Sequence, residues 1–230
     1  MQRGLPFLAL LLLAMPGLAA VDPGAREQKL ETDGGAISAI AVSPNGNILL
    51  GSRDPGSNTP PEATPDVRTW FYLQASGEQR ASGSADLANC RTRVLDLCTS
   101  HVVSVALDGM GGRFAVASNV AASTDSVRGL VILGSSTGGE THRETFVEPI
   151  VAVDFDDDGD TLAVLTAPAV SMVPGSQPQS KVYVLAGFTG GSAPSGLTRL
   201  ATDPLLDGAP RSLSIGGQGD QVVVGTSAAT

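Results

Sequence analysis

Histidine is nearly missing from this 230-residue chain: His101 and His142 are the only two, and none follows His142. A hydrolase built on a nucleophile elbow needs its acid and then its histidine after the serine. The stretch Gly134-Ser135-Ser136-Thr137-Gly138 matches G-x-S-x-G, but no helical period follows it and the one histidine beyond it, His142, falls on an expected polar edge strand where it reads as solvated rather than as a base, so the stretch reads as a turn. Lys and Arg are also short, 14 against 23 Asp and Glu, for a formal charge of -9. A nucleic-acid partner needs a basic face, and this composition excludes one. Only two cysteines are present, and neither a second pair nor a nearby His pair completes a zinc site. Aromatics make up 4% of the chain, so a core must come mainly from Val, Leu, Ile and Ala. Beyond the first twenty residues no apolar run is long enough to span a bilayer.

Those first twenty residues are of another kind. Arg3 is the one charge in Met1–Gly4, Leu5–Met15 are almost all apolar, and Pro16-Gly17 break the run before Leu18-Ala19-Ala20. This is the layout of a secretory signal over residues 1–20, too short for the roughly twenty residues of an anchor. Cleavage after Ala19 puts Gly17 and Ala19 at the positions that demand small side chains. The expectation is an exported protein, extracellular, periplasmic or at the cell surface, with no membrane span beyond the signal. An oxidising compartment permits a disulfide between Cys90 and Cys98 if they lie on a hairpin or loop; on one extended strand they stand too far apart.

What the chain does have is a repeat. An apolar strand, a polar turn with glycine and a second apolar strand ending in Ser or Thr occur at Ile40–Ser52, Val105–Ser118, Val153–Thr166 and Leu213–Thr226. Third strands follow at Thr69–Ser76, Gly129–Ser136 and Lys181–Phe188, running toward Gly77, Thr137-Gly138-Gly139 and Thr189-Gly190-Gly191. More polar fourth strands are expected at Arg93–Thr99, His142–Val147 and Leu197–Ala201, as suits an outer edge. The 28 glycines and 15 prolines fall between the apolar runs and punctuate them. Each unit is a four-stranded meander, inner strand first, and such repeats point to radially arrayed blades.

The Thr-Gly-Gly turns and the strand–turn–strand units resemble the YVTN and WD40-like β-propeller families, over about residue 25 to the C-terminus. The resemblance implies an all-β propeller of four-stranded antiparallel blades and is nearly silent on activity. Blades are expected at 36–100, 101–149, 150–208 and, in part, 209–230, after a lead-in at 21–35 with one outer strand, Arg26–Thr32. Three and a half blades make an incomplete ring, expected to be the N-terminal part of a longer propeller. The inner strands Ile37–Val42, Val102–Leu107, Ile150–Phe155 and Arg211–Ile215 are expected to be the most buried.

Asp154, Asp156 and Asp158, before Gly159, open like a calcium loop, whose carboxylates give a hard cation oxygen ligands. Leu165 stands where the bidentate Glu belongs, and the segment aligns with the turns of other blades, so the competing reading is a hairpin turn with Gly159 at positive φ. Calcium is the one cofactor these residues suggest. The Pro-rich connections Pro55–Pro65 and Ala167–Ser180 leave at one rim, where binding surfaces of such folds lie. Three functions fit: an exported non-catalytic scaffold for a protein or small-molecule ligand, a hydrolase or lactonase-like propeller enzyme with a metal site, or a structural module of a longer surface protein. The starts of the inner strands, Ala36, Val102, Ile150 and Arg211, supply no convergent ligand set for the enzyme.

Overall fold

The computed structural model describes residues 36–52, 68–85, 99–121, 127–137, 139–168, 180–188, 198–204 and 209–227. All lie in the compact unit Glu31–Thr230. The signal stretch, Arg26–Thr32, Cys90, Cys98 and most of both Pro-rich connections lie outside the described residues. Among the described residues there is no helix. The apolar runs alternate in facing, and period two is what a strand buries.

Blade 1 consists of Ile37–Val42 (β1), Ile48–Ser52 (β2), Trp70–Leu73 (β3) and Gln79–Gly83 (β4). Blade 2 consists of Thr99–Leu107 (β5), Arg113–Ala121 (β6), Val127–Ser135 (β7) and Gly139–Phe146 (β8). Blade 3 consists of Ile150–Phe155 (β9), Thr161–Thr166 (β10), Lys181–Ala186 (β11) and Thr198–Pro204 (β12), and Pro210–Ile215 (β13) with Val222–Thr226 (β14) make a half-blade. Every sheet is an antiparallel meander in chain order. The innermost strands β1, β5, β9 and β13 stand beside one another in that order, as blades of a propeller do. The fold is an all-β propeller arc of three four-stranded blades and a half.

The core is two seams between blades. Leu49, Trp70 and Tyr72 of blade 1 pack on Val102, Phe114 and Val116 of blade 2. Ala115, Val131 and Leu133 of blade 2 pack on Val153, Phe155 and Leu162 of blade 3. The few aromatics concentrate there: Trp70 and Phe114 centroids are 5.0 Å apart, and Phe146 meets Tyr183 edge-on at 5.1 Å.

Two expectations are corrected. The outer strand of blade 1 is β4, not Arg93–Thr99, because Gly77 (φ 83°) closes a tight hairpin directly after β3; Thr99 instead opens β5. Residues 93–98 lie outside the described residues. The most buried strands are β2, β3, β6, β7 and β10, not the inner ones, although in blade 3 the inner β9 is more buried than the third strand β11. Inner strands have one edge toward the channel, whereas middle strands are flanked within the sheet on both sides.

Candidate functional site

The polar residues that the sequence marks for chemistry gather at one rim, in the four turns that join first strand to second. Each turn opens on Ser43, Asp108, Asp156 or Gly216, and its fourth residue is Gly46, Gly111, Gly159 or Gly219, all at positive φ. That glycine N–H donates to the carbonyl of the opening residue in each turn, at 2.9, 2.9, 3.1 and 2.8 Å. A type I turn closed by a left-handed residue needs glycine there. In the first three turns the opening side chain then holds a backbone donor at the far side of the turn. Ser43 Oγ accepts from Asn47 N at 3.1 Å, Asp108 Oδ1 from Gly112 N at 2.7 Å, and Asp156 Oδ1 from Thr161 N at 3.1 Å.

The calcium candidate falls on this pattern. Asp156 is buried in its own turn, in the same place as Ser43 and Asp108. Asp154 points along β9 to the next blade, where its Oδ2 accepts from Ile215 N at 3.1 Å. Asp158 is exposed at the turn's tip. The three are therefore spread over a seam, a turn core and solvent. Among the described residues no group of three or more His, Cys, Asp or Glu side chains is arranged to hold a metal ion. Burial pushes the Asp154 carboxyl above its ordinary value, and donation from Ile215 N and Ser214 only partly offsets this.

The turns also hold one another. Gly109 N donates to Asp157 O at 3.0 Å, and Asp157 N donates to Gly217 O at 3.2 Å, so equivalent residues link blade 2 to 3 and blade 3 to 4. Pro44 occupies that place in blade 1 and has no N–H to give. There the Asn47 side-chain amide donates to Gly111 O at 3.3 Å, the Asn45 amide donates to Met110 O, and the buried Tyr72 hydroxyl donates to Gly111 O at 2.6 Å. Arg113 bridges blades 2 and 3 through an ion pair with Asp160 at 2.7 Å. This rim is a row of latches.

No family model and no curated protein matches the chain. Among solved structures it is similar to the β-propeller domain of Cps50 (Swd1) from Myceliophteria thermophila, at 12% identity and a TM-score of 0.42. That likeness covers 84% of this chain and 50% of the other. It is also similar to prolyl oligopeptidase B from Galerina marginata, at 11% identity and a TM-score of 0.45, over 85% of this chain and 26% of that one. The chain thus spans half the length of the first and about a quarter of the second.

Of the other marked residues, Ser136 meets the blade 2 latch and the two histidines do not. His101 is exposed at the start of β5, and His142, on the outer strand β8, lies 3.6 Å from Glu144. Ser136 sits in the turn after β7, where its N–H donates to Gly112 O at 2.9 Å. Sequence reasoning missed two groups at the blade 2–blade 3 seam. Asn119 both donates to Ile150 O (2.8 Å) and accepts from Ile150 N (2.7 Å), so its amide substitutes for a neighbouring strand. Glu148 is buried between Lys181 Nζ (2.6 Å) and Tyr183 Oη (3.1 Å). The available signal was a polar residue inside an apolar strand for Asn119, and a lone carboxylate between Val147 and Pro149 for Glu148.

Proposed function

We propose that the protein is an exported, non-catalytic β-propeller that serves as a scaffold for binding a protein or small-molecule ligand. The observation that carries this reading is the use made of its polar residues. Asp154 and Asp156, two of the three candidates for chemistry, hold a backbone N–H across a seam and within a turn, as Asp108 does in blade 2, and the third, Asp158, is exposed at its turn's tip. Groups spent in this way stiffen the arc and are not poised to accept a proton or attack a substrate. The opposite rim supports the reading from the other side. β2 and β10 both run away from the latched turns, so the Pro-rich connections after Ser52 and after Thr166 leave from that opposite rim. One rim is thus committed to structure, and the other carries the long connections.

Replacing residues 53–67 and 169–179 by short Gly-Ser linkers tests it. A circular-dichroism spectrum like that of the parent is expected, together with loss of the binding partner recovered by cross-linking to the exported parent protein. Retained partner binding by the linker variant argues against this rim. A hydrolytic activity abolished by Asp154→Asn favours the enzyme instead. Intact mass of the exported product should place its first residue at Ala20 or Val21; a retained Met1 removes the export step from the reading.

A further inference from the structure

We propose that Asn45 and Gly46 form a self-modifying latch: Asn45 is held as long as blade 1 is fastened to blade 2, and once the latch opens it deamidates onto Gly46 and the latch does not re-form. Asn45 is the only asparagine of the chain followed by glycine. It stands exposed at the third place of the blade 1 turn. A glycine has no Cβ to hinder its nitrogen as it attacks the neighbouring acyl carbon. The equivalent residues of the other turns, Met110, Asp158 and Gln218, also precede a glycine, but none offers the same chemistry. Methionine has no acyl carbon, an ionised aspartate resists attack, and glutamine must close a slower six-membered ring.

In the reaction the Gly46 nitrogen gives its proton to solvent and attacks Asn45 Cγ. The new N–Cγ bond closes a five-membered succinimide, the Cγ–Nδ2 bond breaks, and Nδ2 leaves as ammonia with protons taken from solvent. Water then opens the ring at either carbonyl, which leaves aspartate or isoaspartate at residue 45. The latched turn opposes the first step at both reacting atoms. Gly46 N–H is engaged, donating to Ser43 O at 2.9 Å. The Asn45 carboxamide is held from two sides, its Oδ1 by the Ser43 hydroxyl and its Nδ2 by Met110 O of blade 2. Opening the seam frees the amide to turn toward Gly46 N. Relatching then fails for want of a donor, since a carboxylate at residue 45 only accepts, as does Met110 O. At the other two seams a backbone N–H does this work, from Gly109 and Asp157, but Pro44 has none. What remains, the Asn47 amide and the Tyr72 hydroxyl, converges on the single acceptor Gly111 O.

Held in mildly alkaline buffer at physiological temperature, the folded chain is expected to convert residue 45 slowly, with both products found by peptide mass mapping. Tyr72→Phe removes one bond of the latch and leaves the turn's own residues in place. It should speed the conversion about fivefold, the effect of one lost hydrogen bond on an opening equilibrium. Its circular dichroism should match the parent's, which separates opening of one seam from unfolding. Asn45→Asp reproduces one product and should lose amide-exchange protection across the turn Ser43–Asn47, with the turn Asp156–Thr161 unchanged. A residue 45 that stays intact in Tyr72→Phe while the urea-unfolded parent converts, equal rates in the parent and Tyr72→Phe, or parental exchange in Asn45→Asp overturns the proposal.

Discussion

At the scale of single residues, the rim turns depend on one acceptor at their first position. Asp156→Ala leaves Thr161 N without its partner and is expected to cost about 1 kcal/mol, with Asp156→Ser recovering most of it, since Ser43 does this work in blade 1. Urea melts of the three proteins check this; equal midpoints for Ala and Ser would mean that the cap contributes nothing. Asp154 behaves in the opposite sense. Its folded pKa is raised, chiefly by burial, so the stability it leaves intact at low pH is lost as pH rises through that value. Asp154→Asn keeps an acceptor for Ile215 N without the charge. It should raise the melting temperature at neutral pH and leave it unchanged in acid.

Glu148 and Lys181 titrate outward from neutrality. Burial raises the Glu148 pKa, but donation from Lys181 Nζ, its own backbone and Tyr183 Oη outweighs this and holds it below 4.5. Its contribution is present above the unfolded pKa and is lost as pH falls through the folded one. Lys181 is raised above 10.5, first by its bond to Glu148 and against a smaller effect of burial, so its contribution is lost as pH rises through its folded pKa. Glu148→Gln should flatten both limbs of a plot of melting temperature against pH. A parent whose stability is indifferent to acid in that comparison would show the pair to be idle.

At the scale of elements, the seams rather than the strands set what each position tolerates. Gly51 in β2 faces Val102 of β5, and a Cβ added there would fall on Val102 Cγ1. The equivalent positions in blades 2 and 3 hold Ala117 and Leu165 without difficulty. Gly51→Val is therefore expected to destabilise by about 1–3 kcal/mol through overpacking of this one seam. Coupling in a double-mutant cycle with Val102→Ala checks that the clash is at the seam; simple additivity of the two effects would locate the damage elsewhere. The buried second and third strands follow from the same cause. They lie in the middle of a sheet that has a blade against it, while among the described residues no blade stands on the leading side of β1, where Ile40 and Val42 are exposed.

At the scale of the whole molecule, a β-dominated circular-dichroism spectrum is expected of the chain, and a helical one would contradict the blades. The sequence by itself determined the strand–turn–strand units, their order and the glycine-closed turns, because period-two patterning and positive φ are local demands that composition answers directly. It also marked the Asp154–Asp160 segment as unusual. What that segment does was decided by tertiary structure. Asp156 turns inward to cap its hairpin and Asp154 reaches Ile215 sixty-one residues away, and no local pattern distinguishes these uses from ligation. The seams were decided at that level too. Asn119 and Glu148 acquire their partners only when blade 3 comes to rest on blade 2. Whether an apolar strand is buried depends on a neighbouring blade being there, which is why β1 reads like β9 in sequence and yet faces solvent.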